Sequence, residues 1–126
     1  MMKKLIDFQQ FFKSLNIAFS GLRVAFYQEQ SFRLQALAGI LVIILMFYLG
    51  LTLVEKAVLV LIITLVLSLE LINSQIERVL DIIRPVIDPR IKIIKDLSAS
   101  AVLVSVFGAI LIAILIFLPY ILSLSF

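Results

Sequence analysis

The 126 residues include no cysteine and no histidine. Their absence excludes disulfide frameworks, zinc sites of the Cys/His type, and thiol or imidazole catalysis. Chemistry must come from carboxylates, amides, hydroxyls, lysine or arginine. Proline and glycine are scarce, at three and four, and the glycines at 21, 39, 50 and 108 are scattered. That leaves no P-loop and no glycine-rich kinase loop. Charge is scarce as well: 15% of residues, against about 25% in soluble domains. What is abundant is apolar, with 63% hydrophobic residues and a mean hydropathy of +1.24. A chain of this length makes one domain at most. It is too apolar to be disordered, and a net charge of +3 leaves no broad basic face for nucleic acid. The composition is that of a membrane protein.

The charge-free stretches locate the spans. Residues 34–54 carry no charge, residues 57–76 carry one (Glu70), and residues 97–126 carry none. About 20 apolar residues cross a hydrocarbon core of roughly 30 Å. Three transmembrane helices are predicted, over 34–54, 57–80 and 97–122. The first begins too late, is too long and lacks a cleavage site for a signal peptide. Glu55 and Lys56 punctuate the first two spans as a tight hairpin, and a polar stretch with Pro85 and Pro89 precedes the third.

The cations orient the chain. Lys3, Lys4, Lys13, Arg23 and Arg33 precede the first span, and Arg78, Arg84, Arg90, Lys92 and Lys95 lie between the second and third. Lys56 alone is on the other side. By the positive-inside tendency the N-terminus is cytoplasmic and the C-terminus outside. Ahead of the first span, Phe8, Phe12, Leu15, Phe19, Leu22 and Phe26 recur at steps of three and four, with Lys13, Asn16, Ser20 and Arg23 opposite. This predicts an amphipathic helix over 4–28, either lying in the membrane interface or packed on the spans.

Polar residues inside the second span are costly and therefore informative. Glu70 lies six residues before Ile76, about 9 Å below the cytoplasmic end of its helix. Asn73, Ser74, Glu77 and Asp81 follow at offsets of 3, 4, 7 and 11, which return to one helix face. The stripe holds three carboxylates, an amide and a hydroxyl. It must face protein, a water-filled cleft or a partner subunit. Its oxygens suit a divalent cation, Mg²⁺ above all, and Glu70 is a candidate general base. The plainer reading is a polar seam gluing helices together. Glu29, with Arg33 four residues on, reads as a surface pair or as a further site carboxylate. Lys95-Asp96 reads as a membrane flank with a helix-start aspartate, or as part of the same cytoplasmic rim.

The segment Glu70-Leu71-Ile72-Asn73-Ser74-Gln75-Ile76-Glu77-Arg78-Val79-Leu80-Asp81 resembles the E-x-x-N-[ST]-A-[IV]-E-x-x-x-D signature of the prokaryotic diacylglycerol kinase family, which includes undecaprenol kinases. Ala18-Phe19-Ser20-Gly21-Leu22-Arg23-Val24-Ala25, with Glu29 and Phe32-Arg33, is similar to the family's A-x-x-G-L-x-x-A…E-x-x-F-R block. Lys95-Asp96 followed by Ser98 to Leu103 is similar to its K-D-x-x-[AS]-[AG]-A-V-L block. The resemblance implies an all-α homotrimer of three-span subunits, each with an N-terminal surface helix, that uses MgATP to phosphorylate a lipid alcohol. It implies Glu70 as general base, Glu29 and Glu77 as Mg²⁺ ligands, Asn73 as support, and Lys95, Asp96 and Asp81 as nucleotide contacts. The acceptor stays open between undecaprenol and diacylglycerol, with a slight lean to the first from the phenylalanine-rich N-terminal segment. Gln75 departs from the family's alanine, Gln35 from a frequent His or Glu, and Val86-Ile87-Asp88 from an acidic–aromatic–histidine loop near the nucleotide. From the residues alone, the competing expectation is a small oligomeric channel or structural subunit built on the carboxylate stripe.

Overall fold

A computed structural model of the chain describes residues 5–83 and 88–125. Lys3, Lys4, Arg84, Pro85, Val86 and Ile87, which figure in the charge count and the loop above, lie outside the described residues. Four helices follow one another: α1 (Phe8–Gln28), α2 (Gln30–Tyr48), α3 (Leu53–Ile83) and α4 (Pro89–Ser125). No strand occurs among the described residues. Helices α2, α3 and α4 are each long and apolar enough to cross a membrane. Helix α4 packs along α3, α3 on α2, and α1 on the start of α2.

Helices α1, α3 and α4 each start on a local signal. Asp7 caps α1, its carboxylate accepting from the backbone N–H of Gln9 and Gln10 at 3.0 and 3.3 Å. Helix α2 ends in a Schellman turn at Gly50, whose φ of +66° is a left-handed conformation that suits glycine. There Leu51 N–H donates to Met46 C=O and Gly50 N–H to Phe47 C=O. Met46 and Leu51 are both buried, supplying the apolar contact of that motif. Two residues later Thr52 and Glu55 form a capping box. Thr52 N–H donates to Glu55 Oε1 at 3.0 Å, and Glu55 N–H to Thr52 Oγ1 at 3.2 Å. The expected tight hairpin is therefore a helix stop and a helix start placed back to back. Asp88 opens α4 by accepting from Arg90 N–H at 2.9 Å, with Pro89 at the first helical position, where its missing N–H costs nothing.

Helices α3 and α4 outrun the charge-free windows. Helix α3 has 31 residues and α4 has 37, about 46 and 55 Å long against a hydrocarbon core of roughly 30 Å. Charged end turns stay helical because headgroups and water solvate them. Lys95-Asp96 thus lies well inside α4 and does not begin a helix. The buried apolar cluster of Met46, Leu51, Leu59 and Phe117 sits at the hairpin end of the bundle, where Tyr120 Oη also donates to Glu55 Oε1. The polar residues gather at the opposite end. In α1 only Ala25 is buried, so its phenylalanines form an apolar face that the bundle does not cover.

Candidate functional site

Helix α1 ends and α2 begins on a single residue, Glu29, whose extended backbone (φ −109°, ψ 105°) makes an elbow with no glycine or proline. The break is stabilised from a distance. Arg33 Nη1 donates to the carbonyls of Phe26 and Tyr27 at 2.9 and 2.8 Å, taking acceptors that the last turn of a helix leaves open. The expected Glu29–Arg33 surface pair is replaced by this cap. Turning the chain at Glu29 carries its carboxylate across to α3, where Arg78 donates through Nε and Nη2 to Oε1 at 3.2 and 2.8 Å. Arg78 Nη2 also donates to Gln28 Oε1 at 2.9 Å. Arg78 is about half exposed, and such pairs contribute roughly 1 kcal/mol or less. The elbow is pinned, but Glu29 is not locked.

The α3 stripe grades from dry to wet. Glu70 is 5% exposed, Asn73 8% and Ser74 7%; Glu77 is half-buried and Asp81 open to solvent. Glu70 would be untenable at this depth without a partner. The partner comes from α2: Gln35 Nε2 donates to Glu70 Oε2 at 3.2 Å. Glu77 and Glu29 are the acidic groups within electrostatic reach of Glu70. Two buried acceptors, Gln35 Oε1 and Asn73 Oδ1, have no protein partner. A buried polar atom without a partner destabilises a fold by about 1–3 kcal/mol, so each marks a place where a donor is expected. A cleft of about 230 Å³ lies between α1 and α3 beside this group, lined by Ala25, Glu29, Ser74 and Arg78 among others.

The structure therefore brings together Glu29, Glu70, Asn73 and Glu77. It places Lys95, Asp81 and Asp96 in a second ionic group one turn further along. Lys95 Nζ donates to Asp81 Oδ1, joining α4 to α3, and Lys92 Nζ donates to Asp96 Oδ2 at 2.7 Å. Of the loop flagged in the sequence, Asp88 is the α4 cap and an ion partner of Arg90 at 3.0 Å; Val86 and Ile87 lie outside the described residues. Sequence reading passed over Gln35 as a site residue, and likewise Arg78. The signal for Gln35 was a lone amide in an otherwise apolar run. Arg78 could have been found four residues after Ser74, on the flank of the stripe.

Among the described residues no three His, Cys, Asp or Glu side chains converge as a ready metal cage. Glu29 and Glu77 supply hard oxygen donors of the kind Mg²⁺ takes, one or two carboxylates completed by substrate phosphates and water. The donor set fits a metal that arrives with its substrate. It does not fit a resident structural ion.

Residues 16–117 match the family described as prokaryotic diacylglycerol kinase. The chain is 35% identical over 113 residues to the undecaprenol kinase of Bacillus subtilis, covering 90% of this chain and 92% of that protein. It is 34% identical over 101 residues to a diacylglycerol kinase of Helicobacter pylori, covering 80% of this chain and 79% of that one. To the diacylglycerol kinase of Escherichia coli K12 it is 27% identical over 111 residues, covering 88% and 91%. A helical chain with three helices long and apolar enough to cross a membrane, one of them carrying a buried carboxylate, and with this match over most of its length, belongs to the prokaryotic diacylglycerol kinase family of membrane lipid kinases.

Proposed function

We propose that the chain transfers the γ-phosphoryl group of MgATP to the hydroxyl of a membrane lipid alcohol at the cytoplasmic face of the bilayer, with Glu70 as general base. The observation that carries this reading is a buried carboxylate at membrane depth, held on one oxygen by Gln35, with two further carboxylates above it toward water. A lipid hydroxyl entering from the bilayer meets Glu70 first, and a nucleotide entering from the cytoplasm meets Glu29 and Glu77 first. In the step, the lipid O–H bond breaks and its proton passes to Glu70. The lipid oxygen bonds to the γ-phosphorus, and the bond from that phosphorus to the β–γ bridging oxygen breaks, releasing ADP.

Glu29 and Glu77 are the residues to hold Mg²⁺, which when bound neutralises phosphate charge. Phosphoryl transfer depends mainly on such neutralisation and on positioning. Asn73 supports Glu70 from the next turn, and Lys95, Asp96 and Asp81 form the rim that contacts the nucleotide. In this reading the protein is a multi-pass protein of the inner (cytoplasmic) membrane with its N-terminus cytoplasmic. It works as a homotrimer whose subunits cover one another's apolar faces.

The test is transfer of labelled phosphate from ATP, with Mg²⁺, to undecaprenol and to diacylglycerol in separate mixed micelles. Label should reach a lipid with the wild-type protein and vanish with Glu70→Gln. Failure to label either lipid, from folded and oligomeric protein, would overturn the reading.

A further inference from the structure

We propose that Arg78 is a phosphate-binding residue held in reserve: it pairs with Glu29 while the site is empty, and turns to the phosphates of the nucleotide when Mg²⁺ takes that carboxylate. The inference rests on the phosphotransfer reading above. It adds to that reading a residue on a position the stripe's signature leaves unspecified. Among the described residues Arg78 is the one cation lining the cleft between α1 and α3. Glu29 and Glu77 lie within electrostatic reach of Glu70, so three carboxylates gather with this guanidinium at their edge. A nucleoside triphosphate stays anionic after Mg²⁺ binds, and unrelieved carboxylates would repel it. Lys95 and Lys92 are already paired with Asp81 and Asp96, so those pairs bring no net charge to the rim. Arg78 differs, because its partner is the carboxylate that the metal would claim.

The geometry of the pair is that of a contact made to be exchanged. Arg78 Nε and Nη2 both donate to the same oxygen, Glu29 Oε1, at 3.2 and 2.8 Å. Among the described residues Glu29 Oε2 is left open, so a cation can approach before the guanidinium leaves. Arg78 Nη1 likewise bonds nothing among them, so the fork keeps an unused edge. The two side chains are 47% and 24% exposed, and ion pairs this wet are weak and easily broken. The elbow also has a separate hold. Arg33 caps Phe26 and Tyr27 and does not touch Glu29 through its side chain, so the turn persists when Arg78 swings away. The planar guanidinium fork matches phosphate oxygens bidentately, as it matches a carboxylate. One side chain can therefore serve both anions in turn, and the charge of the cleft stays balanced in each state.

The experiment maps arginine modification by phenylglyoxal in the full chain, in mixed micelles at constant ionic strength, with peptides identified by mass spectrometry. The probe is β,γ-imido-ATP, which binds like ATP and does not transfer its phosphate. Arg23, exposed on α1 and outside the cleft lining, is the internal reference. In wild type, the analogue with Mg²⁺ should lower the rate at Arg78 to about a tenth, and the analogue in chelator should leave it in place. In Glu29→Gln, where the competing carboxylate is gone, the analogue should lower the rate about threefold or more with no metal present. Equilibrium binding gives the second readout. Arg78→Gln should raise the Kd of the Mg²⁺ analogue complex by about tenfold, and Arg78→Lys, which keeps the charge without the fork, by about threefold.

An Arg78 rate that is the same in every state, with the analogue bound, makes the residue a fixed pin of the elbow; it overturns the inference and leaves the kinase reading intact. Protection of wild-type Arg78 without metal overturns it too, as does a Glu29→Gln variant that still needs Mg²⁺ for protection. Wild-type affinity in Arg78→Gln has the same consequence. Should Glu29→Gln or Arg78→Gln not fold, the wild-type comparison with and without Mg²⁺ and the Kd of Arg78→Lys decide between the two outcomes. A wild-type protein that does not bind the analogue even with Mg²⁺ overturns both the inference and the kinase reading.

Discussion

A carboxylate in a membrane span is tolerated only if something answers its charge, and the answer at Glu70 is a single neutral amide from another helix. That leaves Glu70 able to take a proton, which a lysine or arginine partner would have hindered by stabilising the carboxylate. Replacing it by Gln keeps the shape and removes the proposed base, so kcat should fall by about 10²- to 10⁴-fold with the KM for ATP little changed, as steady-state kinetics will read. Glu29 and Glu77 sit nearer water, and their loss should register on the metal. Glu77→Gln is expected to raise the Mg²⁺ concentration for half-maximal activity by about tenfold or more, and excess Mg²⁺ should restore most of the rate. A magnesium titration that superimposes on wild type would remove Glu77 from the metal site. These candidates were legible in the sequence because charge in a greasy run is conspicuous and helical spacing is reliable over three turns. Gln35 was not. Its contact with Glu70 spans 35 positions between two helices, and an uncharged amide barely interrupts a hydropathy pattern.

At the scale of elements, long runs without charge announced α2, α3 and α4, but their ends were set by side chains that hydropathy does not weigh. Thr52 and Glu55 start α3, Gly50 stops α2, and Asp88 with Pro89 starts α4. The Glu29 elbow was the least legible feature, since nothing local forbids one continuous helix from Phe8 to Tyr48. What divides it is Arg33, reaching back to Phe26 and Tyr27, and Arg78, reaching over from α3. Arg33→Met should therefore release α1 while sparing the spans. Hydrogen exchange in the last turn of α1 is expected to speed up by about tenfold, the equivalent of 1.4 kcal/mol of lost capping. Because the same elbow carries Glu29, activity should fall alongside. Thr52→Ala breaks the capping box at the other end of the molecule. It should destabilise the protein by about 1 kcal/mol in denaturant titrations without altering the KM of either substrate.

The whole molecule separates two tasks by depth. Its dry apolar cluster and the Tyr120–Glu55 contact close the hairpin end, while the carboxylates, the elbow and the ionic pairs occupy the other. The proposed use of cytoplasmic ATP requires the carboxylate end to face inward, which is also the side that the positive-inside tendency assigns from the cation positions in the sequence. The missing cysteines make this directly measurable, because any introduced thiol is the only one. In intact cells stripped of their wall, Ser123→Cys should react with a membrane-impermeant maleimide. Lys13→Cys should react only after the membrane is opened. Both positions are exposed and away from the carboxylates, so neither change should disturb the site. The reverse labelling pattern would put Glu29 and Glu77 outside the cell, beyond the reach of ATP, and would leave the carboxylate stripe needing another purpose.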